Sequence, residues 1–172
     1  YLGTFELLLA SPRRPGVVFG AIFTAAAALG LVGLPVAVAL QVASGSAPVV
    51  GAQQALGVTV GLVACVASAH VLAAAFVATR RAPAFEPLLL VPVWLLVGVV
   101  IPAQAMPRPV EILALLHPLA SAVRAERATT PTDALIWALT SLVLIVGWLV
   151  VGVWLLARAR ERAAVRGTSG VA

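Results

Sequence analysis

The sequence predicts an all-α polytopic membrane protein with four transmembrane helices, a cytoplasmic leader helix and an outer re-entrant hairpin before the last span. Three observations predict it. The chain is 62% hydrophobic and 10% charged, with a mean hydropathy of +1.11, against roughly 45–50% apolar and 25% charged in soluble domains. Its apolar runs reach the roughly 20 residues that a helix needs to cross about 30 Å of hydrocarbon. Its basic residues, all arginine, cluster at the ends of those runs.

The first run, residues 16–42, follows a leader of fifteen residues (1–15). The second is 55–79 and the last 131–157. The third, 87–106, contains Pro92 and Pro102 and reads as a kinked span, because neighbouring groups in a bundle can satisfy the carbonyls that proline frees. The transmembrane domain is then 16–157, followed by a tail, 158–172, that loses apolar content and frays after Arg166.

Arginine placement orients the chain. Arg13 and Arg14 precede the first span, Arg80 and Arg81 separate the second and third, and Arg158, Arg160, Arg162 and Arg166 follow the fourth, eight of the eleven basic residues. The connection 43–54 carries no charge, and 107–130 sets Arg108, Arg124 and Arg127 against Glu111 and Glu126. The positive-inside rule makes both ends cytoplasmic in a multi-pass protein of the cell membrane.

The connection 107–130, "PRPVEILALLHPLASAVRAERATTP" with its last proline, is too apolar for a loop and too short to cross. Val110, Ile112, Leu113, Leu115 and Leu116 share helical spacing for two turns, and Pro118 restarts the chain. Such segments dip in and return, or lie in the interface. A hairpin backed onto the third span is expected, with Pro107, Glu111, His117, Pro118 and Arg124 as gate residues.

In the leader, Thr4 can cap a helix whose first turn carries Glu6, a favourable place for a carboxylate. Leu7, Leu8 and Leu9 follow, and Ser11-Pro12 ends the helix before Arg13. Three successive leucines cannot all face one way, so a docking helix for a cytoplasmic partner stands beside the plainer reading of an interfacial anchor.

Other patterns weigh less. His70, near Cys65 and Ser68 in the second span, is an intramembrane ionisable group; a neutral structural role competes with one on a substrate or proton path, where Gln104 is a second candidate. His117, before Pro118, suits capping or an interface contact. Haem ligation by the two histidines needs both at one depth, and the topology puts them on opposite halves. Gly16-x-x-x-Gly20 and Gly57-x-x-x-Gly61 mark faces for close helix packing. One cysteine excludes an internal disulfide. No basic face with interleaved aromatics points to nucleic acid, and neither a His-Glu-x-x-His nor a phosphate-binding loop is present. The chain therefore reads as no enzyme in itself, with no catalytic residues, no metal site and no cofactor.

The segment "GTFELLLASPRRPGVVFGAIFTA" resembles the coupling helix and following span of type-2 ABC transporter permeases, and "VPVWLLVGVVIPAQAMPRPVEILALLHPLASAVRAERA" is similar to that family's fifth span and outer hairpin. Many members carry a lysine after the glycine matching Gly20, where this chain has Ala21. The resemblance implies that Thr4, Glu6, Leu7, Leu8, Leu9, Ser11, Pro12 and Arg13 contact a cytoplasmic ATP-binding subunit, one of a pair that holds ATP and Mg. It implies a second permease subunit, the same or related, as partner within the lipid bilayer. It also implies that these are the later four of six spans, with two spans and an elbow helix before Tyr1. The expected function is export of a hydrophobic drug, lipid or similar substrate, since 6% aromatic content offers few stacking surfaces for sugars. A haem or polysaccharide exporter permease is one alternative, and a non-transporting membrane scaffold or anchor is another.

Overall fold

The computed structural model describes residues 13–45, 51–78, 91, 93, 95–98, 101 and 105–168. The leader residues Thr4, Glu6, Leu7, Leu8, Leu9, Ser11 and Pro12, the Arg80–Arg81 connection, Pro92, Pro102 and Gln104 lie outside the described residues. All the elements described are helices: α1 (Pro15–Gly30), α2 (Gly33–Ala43), α3 (Ala52–Ala78), α4 (Arg108–Leu115), α5 (Pro118–Glu126) and α6 (Pro131–Thr168). Three stretches are long and apolar enough to cross a membrane: Gly16–Ala43, Ala52–Phe76 and Pro131–Ala159. Their 25 to 29 residues extend to roughly 38–44 Å at about 1.5 Å per residue, enough to cross with some tilt. The apolar side chains that coat them, such as Leu29, Val143 and Val150, are more than half exposed, as a lipid solvent requires.

The first stretch is not one helix. It breaks at Leu31–Val32, where the backbone tightens into three-residue bonds, Leu31 N–H to Ala28 C=O (3.1 Å) and Leu34 N–H to Leu31 C=O (3.0 Å). Pro35 explains the break. It has no N–H to offer Leu31 C=O, and its ring crowds that carbonyl. At its far end, α6 continues to Thr168, two residues past the expected fraying point.

Within the expected third span, the described positions form a helical stretch that ends at Gly98. Gly98 N–H reaches Leu95 C=O (3.4 Å) and its φ is +85°, the left-handed geometry that closes helices at glycine.

Helix α3 is the hub and packs on α1, α5 and α6. One face of it, Val60, Ala64 and Ala67 at i, i+4 and i+7, meets Ala122 and Ala125 of α5 and Ala138 and Ile145 of α6. Lower down, Ala73 and Ala74 join Phe19 of α1 and Leu156 of α6. Alanines dominate the first cluster because, between lipid-bathed helices, packing and close approach replace the hydrophobic driving force. The two glycine pairs lie on these seams. A Cβ on Gly57 would stand 2.6 Å from the Glu126 backbone, and one on Gly16 would stand 3.2 Å from Val153.

Candidate functional site

Pro118 and Ser141 set the α4–α5 hairpin. Proline at the first position of α5 suits a helix start, and its carbonyl accepts a hydrogen bond from Ser141 Oγ of α6 (2.8 Å). His117 caps α5: its Nδ1 accepts the N–H of Leu119 (3.3 Å). Its Nε2 lies 3.3 Å from Ser68 Oγ on α3, and its ring meets Trp148 of α6 edge to face at 4.7 Å between centroids. Trp148 in turn donates to Leu116 C=O (3.0 Å). The turn between α4 and α5 is thereby tied to both long helices.

These bonds fix the imidazole's chemistry. With Nδ1 accepting, the neutral ring carries its proton on Nε2 and donates to Ser68 Oγ, whose own hydroxyl donates to Ala64 C=O (2.8 Å). Burial pushes the His117 pKa down to about 4, so the ring stays neutral at physiological pH. A general base activating Ser68 would need a lone pair on Nε2, and here that atom is the donor. The pair is a latch, not a nucleophilic dyad.

The hairpin base lies beside Gly57 and its turn beside Ser68. Eleven residues of α3 separate them, about 16 Å of helix. The histidines therefore lie at similar levels along α3, with His117 against Ser68 and His70 only two residues further on. This corrects the expectation that they occupy opposite halves; the sequence could not show how far down the hairpin reaches. They face different neighbours. His70, 3% exposed, donates from Nδ1 to Val66 C=O (2.7 Å) and packs its ring edge against Phe23. Its Cβ faces Gly152, where an added Cβ would approach to 2.7 Å. It sits at the crossing of α1, α3 and α6, closed in by protein.

At the hairpin base, Arg124 donates to Glu111 Oε1 (2.8 Å) and lies over the Trp137 ring at 4.7 Å. This pair ties α5 to α4 and to α6. Arg127 donates to Gly98 C=O (2.8 Å), so the third apolar segment is held at the same place. Pro107 is the N-cap of α4. Thr130 caps α6 by accepting the N–H of Asp133 (3.1 Å), and its hydroxyl donates to Asp133 Oδ2 (2.7 Å), a reciprocal arrangement like a capping box. Arg13 is exposed just ahead of α1.

Of the expected gate residues, Pro107, Glu111, His117, Pro118 and Arg124 all belong to this hairpin. The structure adds Ser68, Gly98, Trp137, Ser141 and Trp148, which the sequence did not single out. Thr130-x-x-Asp133 was readable as a cap; the tryptophans carry no local signal, because their roles come from the partner helix. Among the described residues no group of three or more histidine, cysteine or acidic side chains could hold a metal ion.

No family model, no curated protein sequence and no solved structure matches this chain.

Proposed function

We propose that this chain is the membrane-spanning permease subunit of an ATP-driven exporter, with four spans, both ends cytoplasmic in the cell membrane, and α4–α5 as a re-entrant hairpin on the outer side. One observation carries this reading: the α4–α5 turn is wedged about 16 Å along α3 from the hairpin base, latched to Ser68 and Trp148. Simple anchors have no need of a short helical pair folded back alongside their spans. A gate does, since it must block a path and be withdrawn. The exposed apolar side chains Ile112 and Leu113 of α4 and Leu116 at its C-cap suit lipid or a second permease subunit as the gate's outer contact.

Transport requires a power source, and the leader supplies the place to couple one. Glu6 is the proposed polar contact to an ATP-binding subunit, with Leu7, Leu8 and Leu9 the apolar ones. Nucleotide state would bias two arrangements of the bundle through differential contacts at this helix. His70 lies closed in at the crossing, so it would meet substrate only in the state where α1 parts from α3.

The test is co-purification of the chain with an ATPase, followed by Glu6→Lys and Leu8→Asp variants in vesicles. Loss of ATPase association and of substrate-stimulated ATP hydrolysis is expected. Unchanged association and transport in both variants would remove the coupling role. Association without any transport would favour a scaffold.

A further inference from the structure

A cavity of about 260 Å³ opens where α5 ends and α6 begins. Its lining is divided in character: Arg124, Arg127, Thr129 and Asp133 are polar, while Val97 and Val123 are apolar. It lies in the first two turns of the Pro131–Ala159 stretch, the level at which a bilayer passes from hydrocarbon to headgroups. The volume falls below the roughly 300–1,000 Å³ typical of sites for drug-sized ligands. It holds several water volumes of about 30 Å³ each, room for a headgroup but not for a drug.

The charges define what would bind. The Arg124 guanidinium is fixed in orientation, with one nitrogen on Glu111 and its face on Trp137. Its Nε–H is buried, with no hydrogen-bond partner among the described residues. Arg127 brings a second guanidinium, anchored through one nitrogen on Gly98 C=O. Guanidinium groups match phosphate oxygens in charge and geometry. Asp133 places a carboxylate beside them, steadied by Thr130. Cation, anion and apolar wall together describe an amphiphile's polar end.

We propose that this cavity binds the phosphate-bearing headgroup of an amphiphile. The phosphate is held by Arg127, with the Arg124 guanidinium beside it as a second positive charge; an ammonium group, where one is present, lies toward Asp133, and the chains leave along Val97 and Val123. The inference needs only the span-end position of the cavity and stands whether or not the chain is a permease.

Native mass spectrometry of the full chain in non-ionic detergent tests this, with phosphatidylethanolamine, phosphatidylglycerol and a diacylglycerol of the same chains as probes. Both phospholipids should be retained about tenfold more than the diacylglycerol, one charge-assisted hydrogen bond's worth. Ala128→Phe, which fills the cavity, and Arg127→Gln, at an exposed position, should each erase that preference while leaving the elution profile unchanged. Glycerol 3-phosphate separates the sources: displacement of lipid by it means that the phosphate ester alone suffices, and no displacement means that the chains are needed. Equal retention of all three lipids, or wild-type retention in both variants, would overturn the proposal and leave lipid adhering to the apolar faces only.

Discussion

Gly57 and Glu126 stand so close that a single added carbon on Gly57 would lie 2.6 Å from the backbone nitrogen of Glu126. The contact joins α3 to the base of the α4–α5 hairpin, and backbone atoms on the far side cannot turn aside as a flexible side chain can.

Gly57→Ala should therefore loosen the hairpin. The expected cost is about 1–3 kcal/mol, the range for overpacking a tight contact, read as a lowered thermal midpoint of the purified chain in detergent. Gly147→Ala is the control. Nothing lies within 4 Å of that added carbon, so the gain in helix propensity, about 0.5–1 kcal/mol, should raise the midpoint instead.

Gly152→Ala should act at the other seam. Its Cβ would meet His70 Cβ at 2.7 Å and the Val71 nitrogen at 3.1 Å, pushing α6 from α3. Cysteine pairs placed across α3 and α6 should crosslink more slowly in this variant. Crosslinking at the wild-type rate would show that the crossing absorbs the extra carbon.

Acid should weaken the latch. His117 has its pKa held down at about 4 in the folded chain, against about 6.5 when unfolded. Between those values the unfolded state binds more protons, so stability is full above pH 6.5, falls as pH drops toward 4, and is level below that as far as this group is concerned. The loss should be on the order of 3 kcal/mol at most. His117→Asn, still able to cap α5, should remove that share of the pH dependence in melts recorded from pH 7 to pH 4.

The Arg124–Glu111 pair should show measurable coupling. Both side chains are mostly shielded, 14% and 24% exposed, so a double-mutant cycle with Arg124→Gln and Glu111→Gln should give about 1 kcal/mol or somewhat more, at the upper end for ion pairs of this kind. Arg124→Lys should fall short of wild type, because an ammonium cannot both reach Glu111 and lay a planar face on Trp137.

The helical class and the apolar stretches were legible because lipid as solvent imposes length and composition directly on the sequence. Gly57 and Gly61 pointed to a packing face, and that face meets α5. His117 suited capping, and it caps α5. Other features were hidden for physical reasons. Pro35 was visible, but whether it kinks or breaks a helix depends on the groups near Leu31 C=O. The matching level of His70 and His117 depends on how far the hairpin descends, which is set by Ser141 and Trp148 across the bundle. The cavity at the hairpin base needs Arg124, Asp133 and Val97 together, from three separate segments, and no local pattern reports that.

The break at Leu31–Val32 divides the first stretch into unequal mechanical halves. Phe19 and Gly16 key α1 into its neighbours, whereas none of the residues of α2 is buried. Packing seats one arm of the rod, while the arm beyond Pro35 has no buried contact to hold it in line. A displacement of Pro15 would therefore be felt at the His70 crossing, and the break would blunt it before it reached α2.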